Sequence, residues 1–115
     1  MVSLQYGEWG EEIAACAAAG APVHRFEESE RDYDETAALV CALDCVVSVC
    51  TAVVHLAGAL GARALVLVPY TAEWRYGAEG ERMLWYPSVR LFRQPRPLDW
   101  RPVFEDLVAA VGHAA

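Results

Sequence analysis

Residues 45–62, CVVSVCTAVVHLAGALGA, carry no charged side chain, and Asp44 and Arg63 close the run at its two ends. A stretch so apolar has to leave water, either as a membrane span, which needs roughly 20 such residues, or as a buried strand followed by a buried helix. The letters inside favour the second solution. Cys45–Val49 is rich in β-branched valine, Thr51–Leu60 is rich in alanine and leucine, and Gly61 supplies a helix stop. Ala64–Val68, closed by Pro69, is a second strand apolar on both faces. Strands of that kind are covered by helices on both sides, as in parallel sheets.

The flanking sequence extends the alternation. Val2–Tyr6 reads as a strand and Glu11–Ala19 as a helix stopped by Gly20. Val23–Phe26 is a short second strand, and an acidic loop from Glu27 to Asp32 precedes a helix over Thr36–Leu43, capped by Asp34 or a neighbour. Residues 70–87 read as a long irregular segment with Trp74, Tyr76, Trp85 and Tyr86, the kind of loop that often carries function. Val89–Arg93 is the last strand, and a helix over Trp100–Val111 follows, with Asp99 as its cap and Pro102 in its first turn. The expected fold is α/β: one Rossmann-like or flavodoxin-like domain over 1–115, a three-layer sandwich. Its five mainly parallel strands take the order 2-1-3-4-5, with Cys45–Val49 central.

The net charge is −7 and the chain has no lysine, which argues against nucleic acid and anionic lipid as partners. The charge is uneven. Residues 1–62 set ten acids against Arg25 and Arg31, while residues 63–101 set seven arginines against Glu73, Glu79, Glu81 and Asp99. A bound anion belongs with the second half. Cys16, Cys41, Cys45 and Cys50 lack C-x-x-C spacing, so no shared zinc site is expected. With no signal peptide in view, the thiols read as reduced and the compartment as cytoplasmic.

In such a sheet, ligands lie beyond the carboxyl ends of the strands. Cys50 and Thr51 stand at that edge, and the N–H groups of Thr51, Ala52 and Val53 begin the next helix. Two readings of the junction follow from spacing: a helix capped by Thr51 with His55 as a half-buried imidazole, or an anion seat at the helix dipole. No Walker loop or G-x-G-x-x-G decides between them. Glu27 and Glu28 stand roughly where a ribose-binding acid would. Trp74, Trp85 and Trp100 are packing anchors or stacking platforms, and Arg75, Arg90 and Arg93 are surface charges or phosphate partners, with Arg75 the best placed.

The run TAVVHLAGALG, then Pro69, Glu73-Trp74-Arg75-Tyr76 and WYPSVRLFRQPRPLDW, resembles the carboxyl-terminal half of bacterial-type tetratricopeptide-repeat proteins with a heptosyltransferase-like glycosyltransferase domain. That family pairs two Rossmann-like domains in the GT-B arrangement, and the carboxyl-terminal one binds the nucleotide-sugar donor. The resemblance implies that Thr51 and the Ala52 amide meet the donor diphosphate and that His55 shapes the pocket one turn behind. Glu73, Trp74 and Arg75 line the neighbouring loop, while Cys50, Gln5 and Tyr6 lie near the sugar and phosphates. Relatives often have aspartate where Cys50 stands and lysine where Tyr6 stands. The implied ligand is a nucleoside diphosphate sugar, with no metal or other cofactor.

Three functions compete on this basis. The first is a donor-binding domain, supporting hexosyl or heptosyl transfer only when completed by an amino-terminal acceptor domain and its repeats. The second is a non-catalytic interaction or dimerisation module. The third is a thiol enzyme in which a helix N-terminus activates Cys50, weakened because a phosphatase-like loop needs arginine where Leu56 stands.

Overall fold

The computed structural model describes residues 1–5, 7 and 9–112. They fall into two compact units, Met1–Leu39 and Val40–Ala115.

The first unit begins with β1 (Val2–Ser3) and α1 (Gly10–Ala18), and β1 pairs in parallel with β2 (His24–Arg25) in the register Val2↔His24, Ser3↔Arg25. The segment from Glu27, expected to be a loop, forms the short helix α2 (Glu27–Arg31). Its three first-turn acids and its final arginine both complement the helix dipole. Arg25 fastens α2 to β2 through two bonds to Glu30, Nε to Oε1 at 2.6 Å and Nη2 to Oε2 at 2.9 Å. Asp32, the neighbour of Asp34, starts α3 (Tyr33–Ala42): its Oδ1 accepts the Asp34 amide at 2.9 Å. Buried Ser29 and Thr36 are both satisfied, Ser29 Oγ by the Phe26 carbonyl and Thr36 Oγ1 by the Ser29 carbonyl.

The second unit holds the sheet that carries the expected site. Its strands β3 (Val46–Val49), β4 (Ala64–Val68) and β5 (Val89–Arg93) are parallel in the order β3-β4-β5. All five residues of β4 are buried. Leu65 and Leu67 join Phe92 and the inner face of α5 (Arg101–Gly112), namely Val103, Leu107 and Ala110, in one apolar cluster with Cys45 and Trp100 at its margin. Burial of each such side chain contributes about 1.5–3 kcal/mol. Alternation sends Ala64, Val66 and Val68 to the opposite face, and α4 (Ala52–Ala59) packs along the sheet with Val54 and Ala57 buried. The uncharged run is therefore a strand and a short helix, and no described helix is long and apolar enough to cross a membrane. Gly61, at φ +70°, ends α4 with its amide on the Gly58 carbonyl and the Ala62 amide on that of Ala57, the bonding of a Schellman stop.

Two expectations need correction. The parallel α/β class is present, but the strands form two small sheets of two and three strands, not one sheet in the order 2-1-3-4-5. The shortness of β1 gives the physical reason. Its ladder stops after Ser3, whose Oγ accepts the Gln5 amide at 3.3 Å, and a two-residue strand offers few bonds to offset the entropy of ordering it. The central strand of the larger sheet is β4, while β3 is an edge strand with Val47 and Val49 47% and 50% exposed.

Candidate functional site

The carboxyl ends of β3 and β4 open into a cleft of about 470 Å³ lined by Cys50, Thr51, Ala52, His55, Glu73, Arg75, Tyr76 and Trp85. The β3–α4 junction forms one wall and the segment after β4 forms the other. Thr51 is the N-cap residue of α4 with extended backbone, yet its side chain makes no cap bond. Ser48 Oγ donates to the Val49 carbonyl at 2.8 Å and lies 3.0 Å from Thr51 Oγ1, so the Thr51 hydroxyl donates to Ser48. Of the three amides expected to be free, that of Thr51 is taken by the Val49 carbonyl at 2.8 Å. Those of Ala52 and Val53 precede the first helical bond, Val54 N to Thr51 O, and carry the positive end of the helix dipole.

The opposite wall is an aromatic group held by non-local contacts. A 3₁₀ turn, Trp74–Tyr76, lies in the irregular segment after β4. Arg93, at the end of β5, clamps that segment. Its Nε donates to Gly80 O at 2.6 Å and its Nη1 to Gly77 O at 3.1 Å, while Nη2 reaches the carbonyls of Tyr76 and Glu79. Arg93 is thus bound up in the loop. Arg90 pairs with Glu81 at 3.2 Å and lies over the Phe92 ring.

His55 is half-buried, with Nδ1 3.2 Å from Tyr86 Oη and its ring among those of Tyr86, Trp85 and Tyr76 at 5.7, 6.2 and 6.4 Å. It is a half-buried imidazole, as one reading of the junction expected, and the surface it meets is this aromatic wall. Tyr86 comes so close to α4 that a Cβ on Gly58 would stand 2.2 Å from its Cγ. Gly58 lies one turn beyond His55, and that small residue beside the histidine is the local signal that a bulky group packs there. Tyr76 and Trp85 line the cleft; Trp85 was expected as a packing anchor or a stacking platform, and Tyr76 only as one aromatic of the irregular segment.

Cys50 is the floor. Its thiol is pushed above the ordinary range, chiefly by burial and further by the Glu73 carboxylate, against opposing effects from the Tyr76 hydroxyl and Arg93. The Tyr76 phenol is also pushed up, first by burial and then by Cys50. The thiol at this helix start is thus pushed up, the direction opposite to the one an activated thiolate needs. At the mouth, Arg75 Nη1 pairs with Glu73 Oε2 at 2.8 Å and the guanidinium lies 5.2 Å from the Trp74 ring centroid. Trp74 stands at the rim, edge-on to Trp85 at 5.4 Å. Trp100 packs against the apolar core.

Of the expected site residues, Cys50, Thr51, Ala52, His55, Glu73 and Arg75 share the cleft, and Trp74 touches it through Trp85 and Arg75. Gln5 belongs to the first unit, as do Glu27 and Glu28, and Tyr6 lies outside the described residues. Among the described residues, no group of three or more His, Cys, Asp or Glu side chains is arranged to hold a metal ion.

These features define a class: a parallel α/β unit with an open, mixed-polarity cleft at the carboxyl edge of its sheet. Among curated proteins the chain is similar to Protein FlbA of Caulobacter vibrioides, 35% identical over 113 residues that make up 96% of this chain and 19% of that protein. The chain thus spans less than a fifth of the length of the curated relative it matches. No protein-family model matches the chain, and no solved structure does.

Proposed function

We propose that the cleft receives the diphosphate of a nucleoside diphosphate sugar, making this chain the donor-binding part of a cytoplasmic, glycosyltransferase-like protein. The observation that carries the reading is the meeting, in one cleft, of the α4 amides and the Thr51 hydroxyl with Arg75 and an aromatic wall. Amides and guanidinium suit phosphate oxygens, and Trp85 and His55 offer apolar faces to a base or sugar. The chain alone does not transfer sugar. Acceptor and donor must be held in reacting geometry, an effect worth roughly 7–11 kcal/mol, and the acceptor side belongs to another part of a longer protein or to a partner.

Calorimetry with UDP, GDP and ADP tests the reading. The Thr51 hydroxyl, which donates to Ser48, would turn its proton to the phosphate, so Thr51→Val should weaken the nucleotide that binds by about 1–2 kcal/mol, a bond to a charged group less the Ser48 bond given up for it. Unchanged affinity would move the phosphate elsewhere. Absence of heat with every nucleotide would favour a second reading, an interaction module, for which the exposed Leu84 (92%) and Trp74 (73%) on the same loop are the supporting observation.

A further inference from the structure

The mouth of the cleft holds opposite charges side by side, and they do not have the same reach. Arg75 is half-buried, stacked against Trp74 and paired with Glu73. Glu73 is the more exposed of the two, yet its negative charge acts on the floor, where it opposes ionisation of both Cys50 and Tyr76. It is also the only carboxylate among the described lining residues. The positive potential of the cleft comes from the start of α4, from Arg75 and, at the floor, from Arg93, and Glu73 works against them. An additional negative charge on a ligand is therefore met by a carboxylate as well as by the cations.

Two ligands of the proposed class differ by one such charge. A diphosphate bridging a nucleoside and a sugar carries about two negative charges, whereas the free nucleoside diphosphate, whose terminal phosphate ionises a second time near pH 6, carries about three at pH 8. We propose that Glu73 is a charge filter. It allows the cleft to hold a diphosphate whose terminal oxygen is blocked by a sugar, and it disfavours the same diphosphate with that oxygen free. This rests on the nucleotide-sugar reading and adds selectivity to it: the spent diphosphate leaves more readily than the donor.

The test compares the unaltered chain with Glu73→Gln, which keeps the size and hydrogen-bonding capacity of the side chain but removes its charge. Calorimetry at pH 8 and low salt uses the pairs UDP and UDP-glucose, GDP and GDP-mannose, ADP and ADP-glucose. The variant should bind the free diphosphate about three- to tenfold more tightly, as expected for removing a unit charge several ångströms away in a partly solvated site. The sugar nucleotide should gain less, so the preference between the two shifts by about threefold. Added salt should narrow that shift, and Glu73→Asp, which retains the charge, should behave like the parent. Equal changes for both members of a pair, or none, would overturn the filter while leaving the cleft a nucleotide site. Failure of every ligand to bind either protein would overturn the nucleotide-sugar reading itself, and the filter with it.

Discussion

The β1-β2 pair and the β3-β4-β5 sheet solve the same problem with different materials. In the first unit, the two strands are two residues long and include Ser3, His24 and Arg25, and α1 buries no residue. Its fixed points are polar: the Arg25–Glu30 pair and the buried hydroxyls of Ser29 and Thr36. In the second unit, β4 is apolar and buried along its whole length, and both partner strands keep register with it for four or five residues. Parallel strands in this chain extend as far as they have apolar faces to bury. The cleft is built on the longer ones.

The apolar unit is most sensitive at Leu65, 1% exposed in the apolar cluster. Leu65→Ala should cost about 2–5 kcal/mol, read as a lowered urea midpoint; a loss below 1 kcal/mol would mean that the cluster does not hold the sheet as described. A smaller effect, but one aimed at the site, is expected from Gly58→Ala. The new methyl group collides with the Tyr86 ring, and overpacking of this kind costs about 1–3 kcal/mol. The His55 ring should lose its Tyr86 partner, which shifts its imidazole signals in NMR. A variant with native stability and an unmoved His55 spectrum would show that Tyr86 does not rest on α4.

The smallest effect is expected at the polar fixed points of the first unit. Arg25 holds the Glu30 carboxyl below its ordinary value of about 4.3, first through their hydrogen bond. Because the folded value is depressed, the stabilisation is present above the unfolded value and is lost as pH falls through the folded one. Carboxyl NMR should show Glu30 titrating below the ordinary glutamate value, and Arg25→Met should raise its midpoint. An unchanged midpoint in the variant would remove Arg25 as the cause.

Much of the second unit was legible from sequence because its signals are local. Five consecutive apolar residues over Ala64–Val68, the shift from valine to alanine and leucine around Thr51, and glycine at 61 each act within a few residues. The edge position of β3 was not legible, since VVSV reads the same whether or not another strand lies beside it. The short helix at Glu27 was hidden by its acids, which look like loop until Arg25 and the helix dipole compensate them. Cys50, Thr51 and Arg75 could be placed at one strand edge by topology alone. Tyr76, Trp85 and Tyr86 could not, because their positions depend on Arg93 and Gly58, which are distant in sequence.

The Arg93 clamp has a consequence for biosynthesis. The carbonyls it gathers belong to residues 76–80, so the loop emerges from the ribosome before the side chain that fixes it, and α4 emerges earlier still. At about 5–20 residues per second, the α4 wall waits a few seconds for its counterpart. Until residue 93 is available, Trp74, Trp85 and Tyr86 form part of an unclamped nascent segment. The cleft is completed from the carboxyl side, only after β5 has been made.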